Sequence, residues 1–471
     1  MIRIVVITSL LVGFLGVVAR ADLVYFAKGG SAQLPATIDG DVVRLLTPEG
    51  PRSFARSDFA AILPEIDLQR EWTTRRQAAK ADARVEARFA AAWWALENGL
   101  TEEALAAMTA LRDLTSPGTP AARAVAAIDR LKAPCPDGDF RPVLDRLGPR
   151  RFRETRSAHF VLLHQVGEPE AKERLDLVER VASTFSVAFA AQGIEFPAPH
   201  SRLVTVVFAD RRDYLAALRR DDGDAFAGTQ GYYHPILRAV LTYDGRTGPE
   251  QQSGRRALAN LRVGGESGSN LARQSLLLDL DWRATDLGIL AHETVHQLSE
   301  AVGLAPRFDD FPTWLHEGLA AQFEVVRGGQ WAGFGRLHDL RLPDWRSIHP
   351  SPRLAPLLRD QGFGHGYRRD AYAGSWALVY FLRKTRPREF LAFLDRLRTP
   401  RTEGDLQPDR NIEAFFASFG RDLPRLEAEW HRYLDGLKTP LDAGRPTGPD
   451  SSLHSPLPAT ERPLVEPQPA H

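Results

Sequence analysis

The run His292-Glu293-Thr294-Val295-His296, with Glu317 following after twenty residues in Trp314-Leu315-His316-Glu317-Gly318-Leu319-Ala320, decides how this chain folds around its chemistry. On a helix, residues four apart share a face, so His292 and His296 aim two imidazole nitrogens at one point from successive turns. That is half of a tetrahedral metal site. Glu293 stands on the flank of the same face, where its carboxylate reaches a water in the open coordination position rather than the metal, which casts it as a general base. The third protein ligand must come from elsewhere. A carboxylate suits zinc, because two neutral imidazoles and one anion leave enough positive charge to acidify a bound water. Glu317 is the best-placed candidate.

Chance yields an HExxH pentapeptide in about one chain of fifty at this composition, so the surroundings must carry the assignment. From Thr285 to Val302 there is no proline, Thr285 and Asp286 are N-cap residue types, and Gly303 follows as a C-cap would. Leu287, Ile289, Leu290, Val295 and Leu298 give this segment a broad apolar face. It is expected to be a largely buried helix, weakened in its first turn by Gly288. A second helix is expected to open at Pro312 and run through Trp314, Leu315, Leu319, Phe323 and Val326, with Glu317 in its interior. Two histidines and two acids buried together without a cation would be costly, and a metal accounts for their proximity.

HETVH followed by WLHEGLA resembles the gluzincin metallopeptidases, in particular the peptidase-MA-like group of mostly uncharacterised bacterial envelope proteins. The resemblance implies His292, His296 and Glu317 as zinc ligands and Glu293 as catalytic base. It extends upstream to His159-Phe160-Val161-Leu162-Leu163, to Val204-Thr205-Val206-Val207-Phe208 and to Gly231-Tyr232-Tyr233 with Arg238-Ala239-Val240-Leu241-Thr242-Tyr243, and covers residues 150–435. Many gluzincins carry an acidic or amide partner near the third ligand. Here Ala320 and Ala321 follow it, which leaves Gln322, Glu324 or backbone carbonyls to orient the ligand histidines. The implied fold is α+β, a gluzincin-like metallopeptidase domain with a mixed sheet packed on the metal-site helices. The implied activity is zinc-dependent hydrolysis of peptide bonds in a peptide or protein substrate. Metallopeptidases of this kind pair an edge strand with an extended substrate, and Gly231 to Tyr243 is the candidate, with an ordinary buried hairpin as the equal alternative. Such a reaction also needs a second donor for its tetrahedral intermediate. Tyr372 is the first candidate, with His365 and Tyr367 behind it, whereas His316 points elsewhere on its helix.

The remaining sequence bounds the setting. Residues 1–21 have the make-up of a secretory signal: Arg3, an apolar stretch from Ile4 to Val18, and Ala19-Arg20-Ala21 as a cleavage site. An exported protein of the bacterial envelope is expected, periplasmic or extracellular, with no stable membrane span once the signal is removed. With Cys135 as its single cysteine it forms no internal disulfide, so packed cores must stabilise it. Sixty acidic and sixty basic residues cancel, so no global field argues for nucleic acid or anionic lipid as partner.

Residues 22–66 alternate short apolar segments with turns at Gly29-Gly30, Asp39-Gly40 and Glu49-Gly50, which fits a small β-barrel or meander and equally a sheet packed on its neighbour. Residues 67–135 read as a helical, tetratricopeptide-like module, a candidate site for a protein partner. Trp93 and Trp94 are expected in its core. Residues 246–274, polar and Gly-rich, read as a mobile loop near the site entrance. Residues 440–471 form a Pro-rich tail expected to be disordered. The rival to a peptidase is a catalytically silent, zinc-stabilised envelope scaffold that binds partners through its N-terminal modules. The intact Glu293 between the ligands argues for catalysis, since a structural site has no use for that base.

Overall fold

The computed structural model describes residues 22–64, 67–82, 84–148, 152–222, 228–305, 311–348, 351–361, 363, 369–398 and 410–439. The segments read as signal and tail lie outside these residues.

Six short strands come first: β1 (Asp22–Phe26), β2 (Ser31–Leu34), β3 (Ala36–Asp39), β4 (Val42–Thr47), β5 (Gly50–Ala55) and β6 (Phe59–Leu63). They form two antiparallel sheets, ordered β2-β1-β6 and β3-β4-β5. Along β4, Val43, Leu45 and Thr47 are buried while Val42, Arg44 and Leu46 are exposed, the period-two pattern of a half-buried strand. So few residues make a marginal core. Val24, Phe26, Leu34, Val43, Leu45 and Phe54 complete theirs with Leu276, from a helix much later in the chain.

Four helices follow: α1 (Leu68–Ala81), α2 (Val85–Glu97), α3 (Thr101–Thr109) and α4 (Pro120–Leu131). Asp67 caps α1 by accepting the Arg70 N–H, and Thr119 caps α4 by accepting that of Ala122. Trp93 and Trp94 are partly buried against the main core, Trp93 edge-on to Phe334 and Trp94 under the Arg75 guanidinium.

The next stretch runs α5 (Arg141–Leu147), β7 (Arg153–Arg156), β8 (Phe160–His164), α6 (Glu168–Gln192), β9 (Leu203–Phe208), α7 (Arg211–Asp222), β10 (Gly231–His234) and β11 (Ala239–Tyr243). Its strands make a five-stranded sheet in the order β10-β11-β9-β8-β7. The inner strands β8, β9 and β11 are parallel, and the outer strands β7 and β10 are antiparallel to their neighbours, so among the described residues β10 is an edge strand of the sheet. Alternate side chains serve two cores. Val161, Leu163, Val206, Phe208 and Leu241 meet Val143 and Leu147 of α5 and Tyr214 and Leu218 of α7. Phe160, Leu162, Val207 and Val240 face the main core, shared with α6 and the later helices that carry His292, His296 and Glu317.

Residues 246–274 correct the expectation of a loop: α8 (Pro249–Val263) fills much of the segment, and α9 (Gly268–Ala301) has begun before its end. The glycine that looked like flexibility is a packing device. A Cβ on Gly254 would stand 2.6 Å from Leu278 Cδ1, so its absence lets α8 lie against α9. Ser267 caps α9 by accepting the Asn270 N–H. The metal-site helix therefore starts well before Thr285, and its 34 residues span about 51 Å. Its C-terminal end falls where expected, with Gly303 at φ 74° just beyond.

Asp286, expected as a cap, is instead interior and buried, paired with the equally buried Arg174 of α6 at 2.6 Å. Removing one partner of such a pair strands a charge. Arg174→Leu is expected to lower stability by about 3–5 kcal/mol, read from denaturant unfolding, with a loss below about 1 kcal/mol counting against the pairing.

The chain ends with α10 (Thr313–Ala320), β12 (Val326–Arg327), β13 (Gln330–Trp331), α11 (Arg341–Ser347), α12 (Leu354–Leu357), α13 (Arg369–Thr385), α14 (Pro387–Arg398), α15 (Arg410–Phe419) and α16 (Leu423–Gly436). The second metal-site helix is shorter than expected. It stops at Ala320, passes into a 3-10 turn over Ala321–Phe323, and Val326 belongs to a small hairpin. The architecture is mixed α+β. Among the described residues no helix is long and apolar enough to cross a membrane.

Candidate metal centre

On α9, His292 and His296 are both buried, with their Nε2 atoms 3.0 Å apart. Glu317, buried in α10, brings Oε2 to 3.1 Å from His292 Nε2 and Oε1 to 3.8 Å from His296 Nε2. One ligand atom from each residue lies within 4.8 Å of the others. Nitrogens at about 2.0–2.1 Å from a tetrahedral zinc stand about 3.3 Å apart, so the spacing and the N, N, O donor set both fit that ion. The three residues predicted as ligands are brought together. His316, expected to point elsewhere, is buried beside them with its ring 5.8 Å from that of His296, and is not one of the three clustered residues.

The positions of α9 and α10 follow from close contacts. Gln297, next to His296, donates to the carbonyls of Val204 and Arg238 and fixes α9 to the sheet. Asp360 accepts the N–H groups of Thr313 and Trp314, capping α10 from across the fold at 2.9 Å each. A Cβ on Gly318 would stand 2.6 Å from Ser375 O, so the glycine of WLHEGLA lets α10 sit directly on α13.

Gly288 has a similar role, since a Cβ there would lie 2.9 Å from Glu324 O. The residue that weakens the helix intrinsically thus admits the backbone carrying Glu324. Gly288→Ala is expected to cost about 1–3 kcal/mol by overpacking, where an ordinary helix interior would gain from the change; a stabilised variant in thermal unfolding would refute this contact.

Glu324 is the partner that orients the first histidine. Its Oε1 accepts from His292 Nδ1 at 2.6 Å, so His292 Nε2 is turned into the cluster. Its Oε2 accepts from His338 Nε2 at 2.8 Å, and Arg341 lies 3.2 Å from the same oxygen. Burial pushes the Glu324 carboxyl up, but Arg341 and the hydrogen bonds of His292 and His338 outweigh it and hold the group well below the usual carboxylate range. Burial, reinforced by neighbouring His292 and His316, pushes His296 well below the usual histidine range and keeps it neutral, as a ligand must be.

Glu293 belongs to a different set of contacts. Its Oε2 accepts the backbone N–H of Tyr233, on edge strand β10, at 2.8 Å. The strand comes this close because Gly231 has no side chain: a Cβ would meet Ile289 Cγ2 at 2.4 Å and Glu293 Cγ at 3.1 Å. Burial, with the charges of Glu317 and Glu324 adding to it, pushes the Glu293 carboxyl up to about 7 against the opposing effect of His292 and the Tyr233 N–H. A nearby dication would draw it down again.

Tyr372, in the first turn of α13, packs its ring against Phe363 at 5.5 Å and under the Arg341 guanidinium at 5.6 Å. It touches the group that holds Glu324. His365 and Tyr367 lie outside the described residues. The sequence left Glu324 as one of several orienting candidates and did not single out His338 or Arg341. A histidine and an arginine three apart at the start of a short helix carry no pattern that names their target.

Residues 286–401 match a family described as a protein of unknown function (DUF1570). The matched stretch begins inside α9 and contains His292, Glu293, His296, Glu317, Glu324, His338, Arg341 and Tyr372. No curated protein matches the chain.

Proposed function

We propose that this chain is a zinc-dependent hydrolase of peptide bonds, a gluzincin-type metallopeptidase acting outside the cytoplasm after export. The observation that carries the proposal is the placement of Glu293: it is next to the clustered histidines in sequence, yet its carboxylate is bonded to the backbone of the sheet's edge strand rather than to the cluster.

His292, His296 and Glu317 would hold the ion. Zinc bound there would supply Lewis acidity, acidifying water and polarising a scissile carbonyl. Glu293 accepts the proton of the attacking water and returns it to the leaving nitrogen. An extended peptide would lie along the outer edge of β10, where Glu293 accepts the Tyr233 N–H, and so pass beside that carboxylate. Tyr372 remains the candidate second donor, through the face it shares with Arg341.

The test pairs metal content of the purified chain with cleavage of a broad peptide library. About one zinc per chain together with zinc-dependent cleavage supports the proposal. Normal zinc uptake with no cleavage favours the silent scaffold, in which the metal serves only the packing of α9 on α10.

A further inference from the structure

We propose that His338 is a positioning residue for the metal centre, fixing through Glu324 which nitrogen of His292 faces the ligand cluster. The inference rests on the metal reading above and adds a link that the ligand motif does not contain.

The protonation pattern can be followed atom by atom. His338 Nδ1 lies 3.2 Å from the backbone nitrogen of Leu340 and 3.3 Å from that of Arg341, at the start of α11. Backbone amides only donate, so Nδ1 must present a lone pair, and the ring proton sits on Nε2. Nε2 then donates to Glu324 Oε2 at 2.8 Å. That oxygen is also held by Arg341. Glu324 Oε1, which lies 3.3 Å from the Arg341 guanidinium, takes the proton of His292 Nδ1 at 2.6 Å, and this turns His292 Nε2 toward His296 and Glu317. The His338 ring is kept in this plane by Trp376, edge to face at 6.1 Å, and the ring is buried. The first turn of α11 is thereby linked, through His338 and Glu324, to the orientation of the His292 ring.

Two isosteric changes separate positioning from packing. In His338→Gln the side-chain amide nitrogen replaces Nε2 and can donate to Glu324. In His338→Asn the amide oxygen stands where Nδ1 was and accepts the Leu340 and Arg341 N–H groups, but no donor reaches Glu324. Zinc affinity of the full chain is measured by competition with a chromophoric chelator, beside unfolding curves of the zinc-free proteins. The glutamine variant is expected within about threefold of wild type and the asparagine variant weaker by about 10–100-fold, with similar zinc-free stability. Wild-type affinity in the asparagine variant overturns the proposal, as does an equal loss in both variants, which would make His338 a packing residue. A wild-type chain that takes up no zinc fails earlier, at the metal reading, and removes this inference with it.

Discussion

Glu293→Gln is expected to lower kcat/KM for peptide cleavage by about 10²–10⁴-fold while the protein keeps its full complement of zinc. Glutamine has the shape of glutamate, and its amide oxygen can still accept the Tyr233 N–H that the carboxylate accepts at 2.8 Å. It cannot take a proton from water. Burial disfavours the charged form of Glu293, so a neutral replacement of the same shape gives up little folding free energy. None of the cluster's ligand atoms belongs to Glu293, so metal content has no reason to change. Kinetics on a cleaved library member and metal analysis of the same preparation decide the matter. Retained hydrolysis would remove Glu293 from the mechanism, and lost zinc would make it a structural residue of the site.

Chelation is expected to destabilise the wild-type chain and leave Glu317→Ala almost unaffected. A ligand that binds only the folded state stabilises it by about 4 kcal/mol at a thousandfold excess over its Kd. An ion held by this cluster is expected to contribute strongly. Glu317 and Glu324 are buried acids on either side of His292, and Glu317 approaches both histidines. Without Glu317 the ion loses one of three protein ligands and the anion that offsets its charge. Thermal unfolding with zinc and with chelator should therefore differ by several degrees in wild type and coincide in the variant. A zinc-dependent shift of the same size in Glu317→Ala would show that the ion binds elsewhere.

The sequence exposed the parts of this molecule whose chemistry repeats at fixed spacing. His292 and His296, four apart, and Glu317 on the following helix are brought together, while Glu293 between the histidines is bonded to the edge strand β10. The strands Phe160–His164 and Leu203–Phe208 fall on segments that carry the family resemblance, and they are largely apolar because parallel pairing within the sheet buries both of their faces. What misled were glycines and polar residues whose roles are tertiary. Gly254 fell in a segment read as a mobile loop and Gly288 read as a weak point of a helix, yet each accommodates a neighbour that a Cβ would displace. Asp286 read as a cap, but its partner Arg174 is on α6, far away in sequence. Glu324, His338 and Arg341 converge from a turn, a loop and a helix start, and no local period connects them.

The length of α9 limits how this protein can be divided. Its first half is gripped by the N-terminal sheets: Leu276 lies in their core, Asp279 pairs with Arg52, and Gly30 leaves room for Leu277. Its second half carries the two histidines. A fragment starting near residue 150 would bare an apolar stripe on the very rod that aligns the ligands, and one cut at Asp286, where the family match begins, would sever the rod itself. The smallest piece of chain able to report on the chemistry is therefore one that keeps the sheets at its front, and activity lost on trimming them would speak of a broken scaffold before it spoke of a lost partner.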